Sequence, residues 1–166
     1  MLKLLVVEDH RHMKTMISEI LRSVGVREVV TAADGAEGFH ALRNHNIDVV
    51  LTDLVMEPID GVAFTRMIRN SPDSPNHMVP VIMVTGQLTL ARIGEARDAG
   101  VNEFIAKPIT ARAVIERLFQ TVQNPRAFVR TDTYFGPDRR RRQDPAYQGP
   151  WRRTADGPQP LPHVLG

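Results

Sequence analysis

One pattern recurs five times along this chain: a short apolar run that stops at a polar or charged residue, then a segment whose apolar residues return at helical spacing. Residues 4–7 are all aliphatic and run straight into Glu8-Asp9. An apolar run without alternation reads as a strand buried on both faces, which is the mark of a parallel sheet. Met13, Met16, Ile17, Ile20, Leu21 and Val24 then share one side of a helix that Gly25 ends. The cycle repeats with a strand at 29–32, Asp34 as a helix N-cap, and Ala36, Phe39 and Leu42 on the helix face. It repeats again with a strand at 49–53, then a helix through Phe64, Met67 and Ile68. Residues 70–79 hold two prolines and read as a surface loop. A fourth strand at 81–85 precedes a partly buried helix on Leu90, Ile93 and Ala96, closed by Gly100. A fifth, at 101–106, precedes a helix whose face is Ala111, Val114, Ile115, Leu118, Phe119 and Val122. Strands alternating with helices predict an α/β fold: a doubly wound, five-stranded parallel sheet with helices on both faces.

The formal charge of +2 over 166 residues averages two unlike parts. Residues 1–124 carry −2, whereas residues 125–166 carry +4 and seven of the twelve prolines. The expected division is a globular domain at 1–124 and a basic, Pro-rich, mostly irregular tail at 125–166. There is no cysteine, so disulfides, thiolate metal sites and a thiol nucleophile are excluded. The apolar start is too short for a secretory h-region, and no stretch approaches the roughly 20 apolar residues that span a bilayer. A soluble cytoplasmic protein is the expectation.

In open parallel sheets the site lies at the carboxyl ends of the strands. Those ends carry Glu8, Asp9, Asp53, Thr85 and Lys107. Three close carboxylates repel unless a cation joins them, and oxygen ligands favour a hard divalent ion such as Mg²⁺. A carboxylate beside Mg²⁺ and a lysine can attack a phosphoryl group and form an aspartyl phosphate. A dinucleotide or Walker loop would need glycines where Glu8-Asp9-His10 stands. A phosphatase with paired aspartates would need acid at Val55.

The acidic pair Glu8-Asp9, Asp53, Thr85, Phe104 and Lys107-Pro108, in this order and spacing, resemble a response-regulator receiver domain over residues 1–124. Phe104 lies 19 residues and Lys107 22 residues beyond Thr85, as in that family. The resemblance implies the flavodoxin-like strand order 2-1-3-4-5. It implies Asp53 as phosphoacceptor and Mg²⁺ held by Asp9, Asp53 and the Val55 carbonyl, with Glu8 acting through water. It also implies Thr85 and Phe104 as a switch pair, Lys107 as the phosphoryl partner, and a cis bond before Pro108. Two departures stand out: Glu57 occupies the usual proline position with Pro58 following, and apolar Val55 sits, with Gln87, where the family tunes dephosphorylation.

The function so implied is that of a two-component regulator, phosphorylated by a histidine kinase or histidine phosphotransfer protein. It would signal through protein contacts near Arg92, Phe104 and Arg112, with a phosphorylation-dependent dimer as one form. Turnover of a substrate is not expected, only catalysis of its own phosphorylation. Alternatives are a constitutive adaptor acting through the tail, or a phosphate sink. The six histidines, without metal-ligand spacing, read as surface residues. In the tail, Tyr134, Phe135 and Trp151 are the candidate anchors for a partner protein. The run Arg139, Arg140, Arg141 and Arg142 is the candidate contact for nucleic acid or an acidic surface. A short strand or edge addition at 126–130 and a turn at 134–138 complete the reading of the tail.

Overall fold

The computed structural model describes residues 1–86 and 89–139. In chain order the elements are β1 (Lys3–Val7), α1 (Arg11–Ser23), β2 (Glu28–Ala32), α2 (Gly35–Asn44), β3 (Val49–Asp53) and α3 (Gly61–Asn70). They continue with β4 (Val81–Thr85), α4 (Leu90–Ala99), β5 (Glu103–Ala106), α5 (Ala111–Gln123), β6 (Phe128–Arg130) and β7 (Phe135–Pro137). The first five strands form one parallel sheet in the order β2-β1-β3-β4-β5. This is the expected topology.

Successive residues of a strand point to opposite faces, and the core divides accordingly. Leu5, Val7, Val50, Val81 and Met83 face α2, α3 and α4, where Leu42, Phe64, Ile68 and Ala96 meet them. Leu4, Val6, Leu51, Ile82 and Val84 face α1 and α5, where Ile17, Leu21, Val114 and Leu118 meet them. Helices start where side chains take up free backbone donors: Asp34, Asp60, Thr89 and Thr110 each accept an N–H three residues on. Gly100 ends α4 at φ +107°, a conformation that favours glycine.

Two helix faces depart from the periodicity. Leu90, the first residue of α4, is exposed rather than part of the packed face. On α5 only Val114 and Leu118 of the apolar set are buried, while Ile115, Phe119 and Val122 stand open to solvent. The sheet and α1 cover one side of α5, and its apolar stripe is wider than that contact.

The segment after Pro125 also departs from an irregular tail. β6 and β7 pair antiparallel, Phe128 against Pro137 and Arg130 against Phe135. Phe128, Tyr134 and Phe135 are buried against the body, so Tyr134 and Phe135 are anchors within the chain and do not face outward to a partner. Arg140, Arg141, Arg142 and Trp151 lie outside the described residues, as does Gln87.

The centre of this attachment is Arg69, which is 1 % exposed. Sequence reasoning missed it, although Val62, Thr65 and Arg69 share the buried side of α3 at helical spacing. Its guanidinium donates five hydrogen bonds: two to the Gly100 carbonyl, one each to those of His77 and Val79, and one to Asn102 Oδ1. The Phe128 ring closes its face at 4.8 Å. Burial lowers its pKa to about 9, still well above neutrality, so the group stays a cation. Desolvation of an ion costs several kcal/mol. Charged hydrogen bonds contribute roughly 1.5–3 kcal/mol each, so five of them outweigh that cost. His77, expected on the surface, is half-buried here, with its ring edge-on to Phe135.

Arg69→Met should lower stability by about 2–4 kcal/mol, because the carbonyls it serves stay buried without donors. A fall in the urea midpoint at unchanged slope would record it, and a midpoint equal to that of the parent would refute it.

Candidate functional site

The parallel register brings the ends of β1, β3, β4 and β5 to one edge. Glu8, Asp9 and Asp53 each place a carboxylate oxygen within 4.8 Å of the others. Glu8 and Asp53 are buried and Asp9 is exposed. Lys107 Nζ lies 3.2 Å from Asp53 Oδ2 and 3.9 Å from Glu8 Oε2.

Each group is held by backbone. The Leu54 N–H donates to Asp53 Oδ1 at 2.8 Å and the His10 N–H donates to Glu8 Oε1 at 2.9 Å. The Lys107 N–H donates to the Thr85 carbonyl at 3.0 Å, which ties the ends of β4 and β5 together. Gly61, the first residue of α3, is integral to the site. A Cβ there would stand 2.2 Å from the Asp53 carbonyl oxygen, so only glycine lets α3 begin this close to the acidic residue. The Gly61 N–H also donates to the Leu54 carbonyl at 3.0 Å.

Thr85 is buried and Phe104 is half-buried. Met83 pairs with Phe104 and Thr85 with Ala106, so Thr85 and Phe104 lie diagonally on the sheet face that carries α4. The structure therefore brings together Glu8, Asp9, Asp53, Lys107 and Thr85, with Phe104 one diagonal away. Val55 is 54 % exposed beside them. The peptide bonds before Pro58 and Pro108 are both cis.

The donor set fits a hard divalent cation. Among the described residues one lysine faces the three carboxylates, and the buried Glu8 Oε2 accepts no hydrogen bond. Burial is the largest influence on Glu8 and raises its pKa. The His10 N–H opposes the rise, the charge of Asp53 adds to it, and the net value is about 7. A carboxyl group pushed that far from 4.5 lacks positive charge, which a divalent ion supplies.

That shift has a sign in stability. Between pH 4.5 and about 7 the folded chain keeps a proton on Glu8 that the unfolded chain has released. Without divalent cation, stability should therefore fall as pH rises through this window, by roughly 2–3 kcal/mol. Urea titrations in chelator at pH 5 and pH 7.5 would show the slope, and Glu8→Gln should flatten it. A slope that survives Glu8→Gln would assign the effect elsewhere.

Residues 4–119 match the family model of the response regulator receiver domain. The chemotaxis protein CheY of Pseudomonas aeruginosa is 34 % identical over 124 residues, covering 73 % of this chain and 98 % of that protein. CheY1 of Helicobacter pylori is 34 % identical over 118 residues, covering 70 % and 94 %. Among solved structures, CheY4 of Vibrio cholerae superposes with a TM-score of 0.67 at 26 % identity, covering 74 % of this chain and 99 % of that one. The receiver domain of a Pseudomonas aeruginosa sensor histidine kinase, with a magnesium ion coordinated in its active-site cleft, gives 0.62 at 31 % identity, covering 72 % and 94 %. Strand order, the acidic cluster beside a lysine and the family match all lead to one assignment: this chain belongs to the response-regulator receiver family.

Proposed function

We propose that Asp53 is the phosphoacceptor of this regulator and that a phosphohistidine on a histidine kinase or phosphotransfer protein is its donor. The observation that carries the reading is the buried Asp53 carboxylate, held on Oδ1 by the Leu54 N–H and on Oδ2 by Lys107. The backbone bond orients the carboxylate and leaves Oδ2 as the nucleophilic oxygen. That oxygen attacks phosphorus as the bond from phosphorus to the donor's nitrogen breaks, and the electron pair returns to the imidazole. Lys107, released from the carboxylate, pairs with a phosphoryl oxygen, and the Thr85 hydroxyl donates to another. Asp9, Asp53 and the Val55 carbonyl would hold Mg²⁺, with Glu8 acting through water. When bound there, the ion would supply the positive charge that offsets the negative charge of the incoming group.

Thr85 and Phe104 carry the change outward along the diagonal they share on β4 and β5. Arg92, Phe104 and Arg112 then lie on the face offered to an output protein, beside Ile115, Phe119 and Val122 on α5. Exposed apolar side chains grouped on one helix suit a protein contact. Among the described residues no helix is long and apolar enough to cross a membrane.

Incubation with acetyl phosphate and Mg²⁺ should add the mass of one phosphoryl group, and Asp53→Asn should abolish the gain. Mass gain that persists in Asp53→Asn would move the acceptor elsewhere. The apolar, exposed Val55 offers no hydrogen bond to orient an attacking water, so the phosphoaspartate should persist for minutes or longer. Decay within seconds, followed by intact mass after rapid desalting, would contradict that role of Val55.

A further inference from the structure

Three residues, Gly100 to Asn102, separate α4 from β5, and both the 126–139 segment and Arg69 grip this joint. On the α4 side, Arg139 Nη1 donates to Asp98 Oδ1 at 2.5 Å. On the β5 side, Arg126 Nη2 donates to Glu103 Oε1 at 3.0 Å, while Arg117 of α5 lies 3.7 Å from Glu103 Oε2. Between them, Gly136 packs so close to Gly100 that an added Cβ would stand 3.0 Å from its Cα. Arg69, under the Phe128 ring, holds the Gly100 carbonyl and the Asn102 side chain, whose Oδ1 also accepts the Val81 N–H. Glu103 is the residue before Phe104.

The hairpin itself is stiffly built. Arg130 stacks over Phe135 at 4.4 Å and Arg139 over Tyr134 at 4.3 Å. The Tyr134 hydroxyl donates to the Pro137 carbonyl at 2.8 Å, and the Asp138 N–H donates to the Ala127 carbonyl at 2.7 Å. A segment tied together in this way acts on the joint as one body. The family match ends at residue 119, before any of it.

The geometry points to the 126–139 hairpin as an intramolecular brace on the α4–β5 joint, one that holds the arrangement in which Asp53 pairs with Lys107. This inference rests on the proposed acceptor role of Asp53 and on Thr85 and Phe104 as the elements that answer it. Asp98 near the end of α4 and Glu103 at the start of β5, next to Phe104, are the two side chains the hairpin's arginines hold, so a shift of α4 against β5 would strain these contacts. Contacts made in one arrangement and loosened in the other bias the equilibrium by their difference. The coupling is reciprocal: the brace opposes modification of Asp53, and modification loosens the brace.

The test uses the full chain with Mg²⁺ and beryllium fluoride, a phosphoryl mimic, followed by ¹⁹F NMR. The Arg126→Gln/Arg139→Gln double variant should reach half-saturation at about one-third or less of the parent's beryllium fluoride concentration. Asp98→Asn/Glu103→Gln, which cuts the same links from the body side, should do likewise. Glu28→Gln, which removes the exposed pair with Lys3 at the far edge of the sheet, should leave the concentration unchanged. In the parent, deuterium uptake by the amides of 126–139 should rise on addition of the mimic, a readout that needs no variant to fold. A lowered melting temperature with unchanged half-saturation, or weaker binding, would show that the hairpin is only structural and overturn the brace. Unchanged deuterium uptake in a parent that binds the mimic would overturn it as well. A parent that binds no mimic at all would instead overturn the acceptor reading on which the brace depends.

Discussion

The ion pair between Lys107 and Asp53 is the constraint around which this molecule is arranged. Three carboxylates at one edge of a sheet repel one another, and a single lysine cannot balance them. The fold tolerates the imbalance because backbone donors at the strand ends fix the two buried carboxylates. Glu8 and Asp53 are held by the N–H groups of His10 and Leu54, and Lys107 is held through the Thr85 carbonyl. The resulting deficit of positive charge is what suits the site to a divalent ion. Its cost is visible in the raised pKa of Glu8.

A second buried charge shows the opposite solution. Among the described residues Arg69 has no carboxylate partner, yet five hydrogen bonds and an aromatic face satisfy it. A satisfied buried ion stiffens its surroundings, whereas an under-compensated one invites a ligand. The two lie at opposite ends of β4 and β5, the strongly compensated one at the amino ends and the other at the carboxyl ends. β4 and β5 thus run between the acidic edge and the junction centred on Arg69. Around that junction lies a hairpin that falls beyond residues 4–119 of the family match.

Much of this was legible in the residues. The strand runs, their polar ends and the helical periodicities specify the parallel sheet, because a strand buried on both faces must be apolar throughout. Glu8, Asp9, Asp53, Thr85 and Lys107 could be grouped before any coordinates, since strand ends in such sheets share one edge. Gly61 was not seen as part of the site. Its requirement is a distance between backbones, and nothing local in the sequence expresses it. The exposure of Ile115, Phe119 and Val122 was hidden too, because a hydrophobic stripe states what can be buried and not how wide a neighbour will cover it.

The C-terminal segment divides along the same line. Its arginines, prolines and aromatics are plain in the composition, and by themselves they describe a solvated basic extension. Only the folded chain shows that Phe128 lies on Arg69, that Tyr134 and Phe135 stack under Arg139 and Arg130, and that Arg126 and Arg139 reach Glu103 and Asp98. The contacts to Arg69, Glu103 and Asp98 join residues far apart in the chain, so no periodicity or motif records them. The sequence by itself determined the sheet, the edge where the acids meet and the chemistry they can do, all of which follow from local pattern and strand direction. The tertiary structure alone decided where the charges after α5 are satisfied, because that depends on which distant partners packing brings within reach.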